Sequence, residues 1–253
     1  MKNLFLLATL FTAVAFSSCS HDDSGINDSE TIVLPDEQPL AIAVATPGTL
    51  LQLLADYDKT MITELTVSGN LNSSDITALK NLPNLAVLDM ENVDLEELPY
   101  QTFFEKTSLT FVKLPRTLTS ISGGIFYGCG SLTNVTIPDG VTQIEALAFY
   151  NCNSLTSTTI PDSVVWIGSC VFSGCSSLTS ITIGNGMTEI GDGAFQNCSS
   201  LTDIYCKAIT PPKVGTGTFD GVFATLYVPT GCKEAYAAAD EWSKFETIIE
   251  TEF

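Results

Sequence analysis

The stretch Ser131-Leu-Thr-Asn-Val-Thr-Ile-Pro-Asp-Gly-Val-Thr-Gln-Ile144 recurs along the 253-residue chain, and close copies begin at Ser154 and Ser177. The leucines in the second position of each copy are 23 residues apart, and they are Leu109, Leu132, Leu155, Leu178 and Leu201. The same step separates Phe126, Phe149, Phe172 and Phe195, and also Cys129, Cys152, Cys175 and Cys198. Weaker copies begin at Ile62 and Leu85. A unit this short cannot bury its own apolar face, so the copies must stack into a solenoid.

Within one copy, the apolar residues predict which side chains point into the solenoid. The expected inward residues are Leu132, Val135, Ile137, Val141, Ile144, Ala148, Phe149 and Cys152. Thr136 lies between two of them and must face outward, because side chains alternate along a strand. Pro138-Asp139-Gly140 is typical of a turn. Thr158 replaces the valine or isoleucine of the other copies, so we expect a polar group at an inward position there.

The repeated motif resembles that of the BspA-like leucine-rich repeat family. The resemblance rests on Ser-Leu-Thr-x-Ile-Thr-Ile-Pro, then Val-Thr-x-Ile-Gly, then Ala-Phe-x-x-Cys, over about residues 62–230. Gly168 and Gly191 keep the motif's glycine, whereas Ser122 and Glu145 depart from it. The resemblance implies a β-rich α/β fold, a right-handed leucine-rich-repeat solenoid. It also implies a surface protein of gut or oral anaerobes, some of whose relatives bind host matrix and plasma proteins through repeat surfaces.

Both ends of a solenoid need lids, and helical caps are expected at each. At the front, Thr49-x-x-Gln52 is typical of a capping box, and one helical face would carry Leu50, Leu53, Leu54 and Tyr57. At the back, residues 226–229 mimic a repeat strand, and Thr230 is expected to cap a helix. The inward face of that helix and the rest of the lid are predicted to be Cys232, Ala235, Tyr236, Ala239, Phe245, Ile248 and Ile249.

The first residues indicate export. Leu4 to Phe16 is an apolar run that follows Lys2, too short to span a bilayer but suited to a signal peptide. It ends before Cys19 in a pattern that resembles a bacterial lipobox, which implies acylation of that cysteine; an ordinary signal peptide cut near Ser18 is the alternative. Residues 20–23 resemble the acidic export signal of Bacteroides-type lipoproteins, and a solvated acidic linker is the alternative. The predicted organisation is a signal peptide at 1–18, an acidic flexible tether at 19–45 and one capped solenoid at 46–253.

Composition excludes several function classes. The net charge is -19, and no Lys or Arg lies between Arg116 and Lys207, so a nucleic-acid partner is excluded. His21 is the single histidine and lies in a polar stretch, which argues against Ser-His-Asp, Cys-His and histidine-ligated zinc sites. We therefore predict no catalytic residue, no metal and no cofactor.

The outward strand positions form the predicted contact surface. Phe111 and Tyr205 are aromatic candidates on that face, because aromatic anchors are enriched at binding hot spots, and Lys113 in the outward column is a further candidate. Val165 and Trp166 take positions that are polar in neighbouring copies, so they are candidates on the adjoining wall. The alternatives are that threonine is simply a good strand residue and that scattered apolar side chains are normal on surfaces.

Acidic residues and cysteines suggest further sites that we weigh against simpler explanations. Five acids lie close together, and they are Asp89, Glu91, Asp94, Glu96 and Glu97. Calcium uses such oxygen ligands, but the spacing is not that of an EF-hand, so a solvated acidic rim is favoured. Glu64 and Asp89 on adjacent strands would be a glycosidase pair only beside a sugar cleft. The four cysteines in register are predicted to be buried small hydrophobes, while Cys170, Cys206 and Cys232 cannot be paired from the sequence.

The leading hypothesis is therefore a non-enzymatic, lipid-anchored module on the outer membrane, facing the cell exterior, that binds host protein or glycan and serves adhesion. A structural or assembly component of the cell envelope without a host ligand is the alternative. A carbohydrate-active enzyme is a third hypothesis, disfavoured by the lack of histidine and by the flat repeated face.

Overall fold

The structure, a computed structural model, describes residues 39–253. The predicted signal peptide, Cys19 and most of the predicted tether lie outside the described residues.

The described chain is built from short strands with a few short helices. The strands are β1 Leu40–Val44, β2 Glu64–Asn70, β3 Val87–Asp94, β4 Phe111–Lys113, β5 Ser120–Ile121, β6 Asn134–Thr136, β7 Gln143–Ile144, β8 Ser157–Ile160, β9 Trp166–Ile167, β10 Ser180–Ile183, β11 Glu189–Ile190, β12 Asp203–Cys206, β13 Lys213–Val214, β14 Thr225–Pro229 and β15 Thr247–Thr251. The helices are α1 Leu50–Leu53, α2 Ser73–Lys80, α3 Lys233–Ala238 and a 3-10 turn at Trp242–Lys244.

These strands form parallel walls of a solenoid with about nine turns of about 23 residues each, as the sequence predicts. One wall contains two runs of five strands, in the orders β1-β2-β3-β4-β6 and β8-β10-β12-β14-β15. The second wall contains β5-β7-β9-β11-β13. We call the outer surface of the first wall the strand face. Short helices lie near both ends, which confirms that the caps are helical, although their details differ from the prediction.

The repeated phenylalanines stack into one continuous column inside the solenoid. Its members are Phe103, Phe126, Phe149, Phe172, Phe195 and Phe219, and their neighbouring ring centroids are 5.1–5.8 Å apart. The four rings in 23-residue register are fully buried. The predicted inward register of these residues is confirmed, and the column supplies each repeat with apolar contacts to the repeats before and after it.

The four cysteines in register are buried and free, which confirms their prediction as small core residues. Each thiol donates to the carbonyl oxygen of a core phenylalanine in the preceding repeat, for example Cys152 Sγ to Phe126 O at 3.2 Å. Burial raises the pKa of the Cys129 and Cys198 thiols to about 12. These side chains therefore remain protonated and serve as weak donors that join one repeat to the next.

The solenoid begins earlier than the sequence analysis places it. The tether was expected to extend to residue 45, but Leu40–Val44 forms β1 and pairs in parallel with β2. Leu40 lies opposite Leu65, and Val44 opposite Gly69. Gly69 has a φ of 92°, and a Cβ there would lie 2.3 Å from the Val44 carbonyl oxygen, so this close approach requires glycine. The predicted boundary was wrong because β1 lacks the repeat motif. It forms a strand by pairing with the free edge of β2.

The front lid is closed by a buried carboxylate rather than by the expected capping box. Thr49 makes no side-chain cap bond to α1, which is only one turn long. Leu50 and Leu54 are buried as predicted, but Leu53 and Tyr57 are exposed. The capping box lies instead at the start of α2. There the Asn72 side chain accepts from the backbone N–H groups of Ser74 and Asp75, and the Asp75 side chain accepts from the backbone N–H of Asn72. The helix over residues 73–80 has no counterpart in our sequence analysis.

The back lid also differs from its prediction. Thr230 does not cap α3; Glu250 Oε1 on β15 accepts instead from the N–H groups of Gly231 and Lys233 at 2.9 and 3.0 Å. Tyr236 is fully buried and donates to Ala208 O at 2.7 Å, whereas Ala235 is exposed. Phe245 and Ile248 are buried as expected, and Ile249 is exposed because it lies on the outer side of β15.

Thr158 is buried, as predicted, and it coincides with a break in the first wall. Thr133 N donates to Thr110 O, and Thr179 N donates to Thr156 O, both at 2.9 Å. Within residues 39–253, no equivalent bond joins Thr156 to Thr133, and no strand pairing joins β6 to β8. The second wall continues unbroken past the same point, through β7 and β9. The Thr158 hydroxyl is buried and has no hydrogen-bond partner in the described part of the protein.

Replacing Thr158 with valine is expected to raise the free energy of unfolding by about 1–2 kcal/mol, since a buried polar group without a partner costs roughly 1–3 kcal/mol. Valine has nearly the same shape, so no cavity is introduced. Urea denaturation measures the change, and Thr182→Val at an outward strand position is the matched control. A loss of stability in Thr158→Val would mean that the hydroxyl has a partner in solution.

Candidate binding surface

The strand face presents its side chains in two regular columns. One column carries Lys113 on β4 and, through Thr136, Thr159 and Thr182, leads to Tyr205 on β12. Phe111 lies in the other column, between Val87 and Asn134. The structure therefore places three predicted binding residues on one face. Phe111 and Lys113 share a strand, while Tyr205 lies four strands away along the wall.

Tyr205 is part of an aromatic pair that the sequence analysis missed. Tyr205 and Tyr227 lie opposite each other on β12 and β14, and their rings stack with centroids 4.5 Å apart. A hydrogen bond to the Asp203 carboxylate raises the pKa of Tyr227. Both rings are half-buried, and the exposed Ile249 follows them in the same column. The Leu226-x-Val228 pattern carried the signal, but we assigned it to the lid rather than to the strand face.

Lys113 is not a free cation, because it forms an ion pair with Asp89 of the acidic cluster. Lys113 Nζ lies 3.2 Å from Asp89 Oδ2, and Arg116 Nη2 lies 2.7 Å from Glu91 Oε1. Two of the five clustered acids, Asp89 and Glu91, thus form ion pairs, so the cluster is not simply a solvated acidic rim. No group of three or more histidine, cysteine or acidic side chains in residues 39–253 is arranged to hold a metal ion.

The postulated glycosidase pair lies on adjacent strands of the open strand face. Strand register sets Glu64 opposite Val87 and Asp89 opposite Thr66, so the two carboxylates are diagonal neighbours in different columns. Asp89 is further occupied by its ion pair with Lys113.

Val165 and Trp166 lie on the second wall, away from the strand face. Trp166 on β9 is half-buried between Gln143 and Glu189 of the adjacent strands. Val165 is 46% exposed, as the sequence predicts for this pair. The structure does not bring these two residues together with Phe111 or Tyr205, so any contact through Trp166 would need a partner that wraps around the solenoid edge.

A third aromatic feature lies on the side of the solenoid that is formed by the turns between the second wall and the next strand of the first. Phe104, Tyr127 and Tyr150 each follow a core phenylalanine, and their rings stack at 4.9 and 4.8 Å. Phe104 is 37% exposed. Their 23-residue step in the sequence is the signal that could have predicted this stack.

The strand face is interrupted by a cleft where β6 and β8 separate. The cleft has a volume of about 520 Å³ and extends across Asn134, Ser157 and Ser180. A second depression of about 390 Å³ adjoins it and shares Thr136 and Asp139. The strand face, predicted to be flat, therefore carries two adjoining depressions here. In the sequence, Thr158 marks this position, but a single polar residue does not by itself indicate an opening.

The residues described contain no helix with the length and apolar character needed to cross a bilayer.

The repeats match a known family. The family described as BspA type leucine-rich repeat region matches residues 96–222, in six copies, which is half of the chain. The chain belongs to this family. The BspA-type repeats account for the phenylalanine column, the cysteine column and the parallel strands of the central turns.

Solved structures of bacterial leucine-rich repeat proteins resemble this BspA-type protein. A leucine-rich repeat protein of T. pallidum is 26% identical, with a TM-score of 0.51, over 66% of this chain and 87% of that one. The pneumococcal vaccine antigen PcpA is 18% identical, with a TM-score of 0.48, over 75% of this chain and 57% of that one. A leucine-rich cell surface protein of Faecalibacterium prausnitzii is 18% identical, with a TM-score of 0.30, over 85% of this chain and 83% of that one. A comparison with curated proteins gives no match.

Proposed function

We propose that this protein is an exported, lipid-anchored, non-enzymatic binding module that meets a host protein or glycan with its strand face. The observation that carries the proposal is the stacked Tyr205–Tyr227 pair, which lies next to the small polar side chains of β8 and β10 on the strand face. A few partly buried aromatic anchors commonly dominate the affinity of an interface. The BspA-type repeats support a binding role, because the resemblance implies recognition through repeat surfaces.

The charge of the protein favours a particular kind of partner. A net charge of -19 attracts basic patches and repels polyanions. Binding of a protein ligand is therefore expected to weaken as salt rises, since exposed charges are screened within about 8–10 Å at physiological ionic strength.

In a binding screen against matrix proteins, plasma proteins and glycans, Tyr205→Ala is expected to weaken an identified ligand by about 1 kcal/mol or more, the level of a contributing interface residue. Phe111→Ala and Trp166→Ala test the other two aromatic candidates in the same assay. Surface plasmon resonance measures affinity, and the thermal unfolding midpoint confirms that each variant is folded.

Tyr127→Ala is the matched control for Tyr205→Ala, because Tyr127 is also a half-buried, stacked tyrosine but lies on another wall. If Tyr205→Ala and Phe111→Ala both bind like the unmodified protein, the strand face is not the contact surface, and weakening by Trp166→Ala alone would move the contact to the second wall. If the protein binds nothing in the screen, a role as an envelope component without a host ligand replaces the proposal.

The anchor has a separate test. Cys19→Ala is expected to move the protein from the membrane fraction to the soluble fraction, because acyl chains supply most of the membrane affinity of a lipoprotein. Labelled fatty acid should be incorporated into the unmodified protein and not into the variant. Ser18→Ala, next to the cysteine, is the control that keeps the thiol.

Membrane retention of Cys19→Ala, together with no labelling of the unmodified protein, would contradict the lipoprotein assignment. Protease treatment of intact cells tests the orientation independently: an outward-facing protein is degraded, whereas a periplasmic one survives.

A further inference from the structure

The first wall of the solenoid ends in two strands that have a neighbour on one side only. Within residues 39–253, β1 pairs with β2 alone at the front, and β15 pairs with β14 alone at the back. An edge strand keeps a row of backbone N–H and C=O groups without partners, and these groups readily pair with a strand of another chain. The two edges differ in how they are protected against such pairing.

The back edge carries charges that oppose pairing. Glu246 precedes β15, Glu250 lies in it and Glu252 follows it, and all three are exposed. Glu250 is in register with Val228, which is fully buried, so a carboxylate occupies a core-facing position of this edge. Charged residues on an edge strand, including those at inward positions, are a common protection against edge-to-edge contact.

The front edge lacks these charges. β1 reads Leu40-Ala-Ile-Ala-Val44, five apolar residues without a charge or a proline, and its register with β2 is continuous. Leu40 and Ile42 point inward, because they lie opposite Leu65 and Val67, which are 1% and 0% exposed. Leu40 and Ile42 are nevertheless only half-buried. The first turn therefore leaves part of the core uncovered beside an open strand edge.

The rest of the first turn, between β1 and β2, also has an apolar surface. Its exposed side chains include Leu51, Leu53, Tyr57 and Met61, which are 56%, 40%, 47% and 75% exposed. No Asp, Glu, Lys or Arg occurs from residue 40 to residue 55. Large exposed apolar areas usually mark interaction sites. The front turn thus combines an open strand edge with neutral, apolar side chains.

Charge selects a second copy of this chain, joined front to front, as the partner. Pairing of β1 with β15 of another copy would place Glu246 and Glu250 beside the apolar residues of β1, and it would continue from copy to copy as an open filament. Pairing of two β1 strands brings no charged side chain to the contact, although each chain has a net charge of -19. Such a contact closes on itself as a two-fold dimer.

We propose that this protein forms a dimer by antiparallel pairing of the β1 strands of two copies. With the two-fold axis at Ile42, this residue faces the partner's Ile42, and Leu40 faces the partner's Val44, so inward residues meet inward residues. On the outward side, Ala41 faces the partner's Ala43, and these small side chains let the strands approach without a clash. Dimerisation covers the backbone groups of β1 and the exposed parts of Leu40 and Ile42.

The dimer joins the strand faces of the two copies. The two-fold axis of an antiparallel strand pair stands perpendicular to the sheet, so both strand faces lie on the same side. The strands β1, β2, β3, β4 and β6 of each copy then form one continuous wall. One assembly presents two strand faces, and a multivalent ligand binds it with avidity. The inference goes beyond the proposed function and does not depend on it.

The oligomeric state of the purified full chain tests the proposal, by sedimentation equilibrium in a density-matched nonionic detergent. The unmodified chain is expected to sediment as a dimer. Ala41→Lys/Ala43→Lys is expected to weaken dimerisation about a hundredfold, because the introduced lysines face those of the partner and like charges repel across an interface. Both alanines are exposed, so the circular dichroism spectrum should stay unchanged. Thr247→Lys/Thr251→Lys, at outward positions of β15, is the matched control and should remain dimeric.

A charge swap tests the pairing directly. Ala41→Glu/Ala43→Glu is expected to be monomeric as well, whereas its equimolar mixture with Ala41→Lys/Ala43→Lys should form a heterodimer, because each lysine then faces a glutamate. Hydrogen exchange gives a second readout: the amides of β1 should exchange slowly in the unmodified dimer and fast in each variant alone.

Four other outcomes would overturn the proposal. A monomer with rapidly exchanging β1 amides leaves the edge open, and a monomer with protected β1 amides means that another part of the chain, such as residues 31–34, covers it. A dimer that persists in Ala41→Lys/Ala43→Lys forms through another surface, for example the apolar run from Leu4 to Phe16. Failure of the mixed variants to associate contradicts the antiparallel register.

Discussion

Phe172→Ala is expected to lower the free energy of unfolding by about 3–5 kcal/mol, the usual cost of truncating a buried phenylalanine. Phe172 is fully buried between Phe149 and Phe195, with ring centroids 5.1 and 5.6 Å away. Removing the ring deprives both neighbouring repeats of stacking contacts and leaves a cavity in the middle of the column. Because the repeats are equivalent, Phe126→Ala and Phe195→Ala should cost a similar amount. Urea denaturation of each variant measures the change.

The matched control is Phe223→Ala, since that phenylalanine is 91% exposed. Its replacement should leave the stability nearly unchanged, because surface substitutions usually stay within about 0.5 kcal/mol. A loss near zero for all three buried phenylalanines would contradict the inward register of the repeats.

Asp75→Ala is expected to destabilise the front of the solenoid by about 3 kcal/mol or more, because it removes three hydrogen bonds to a carboxylate, each worth roughly 1.5–3 kcal/mol, and leaves the buried Leu50 N–H without its acceptor. Asp75 is fully buried. Its Oδ2 accepts from Gly48 N at 2.6 Å and Asn72 N at 2.9 Å, and its Oδ1 accepts from Leu50 N at 2.8 Å. One carboxylate thus closes α1, α2 and the turn between β1 and α1.

Hydrogen exchange distinguishes a local from a global effect of Asp75→Ala. Amides of residues 40–80 should exchange faster, while those of β8 to β12 keep their protection, because each repeat contacts only its neighbours. Asp58→Ala is the control, since the Asp58 side chain is exposed and, within the described residues, accepts hydrogen bonds only from Thr60. Equal exchange in Asp75→Ala and in the unmodified protein would contradict this role of Asp75.

The candidate surface could be predicted only in part. Alternation along the strands placed Phe111, Lys113 and Tyr205 outward, and register placed them on one face. The pairing of Lys113 with Asp89 was not foreseen, because it depends on side-chain conformation as well as on register. Tyr227 was missed because it lies after the last clear repeat, where position in the motif no longer indicates which side a residue faces.

The repeating interior of this protein can be predicted from its amino-acid sequence. A step of 23 residues brings Phe149 beside Phe172 and Cys152 beneath the Phe126 carbonyl, because stacked turns of equal length superimpose equivalent residues. The ends of the solenoid and the break in its first wall depend on contacts that form only in the folded chain. Residues 40–44 become a strand only because β2 offers an unpaired edge, and Asp75 and Glu250 close helix ends far from them in sequence. The break between β6 and β8 is of the same kind: Thr158 marks its place, but whether two strands pair depends on the backbone of both.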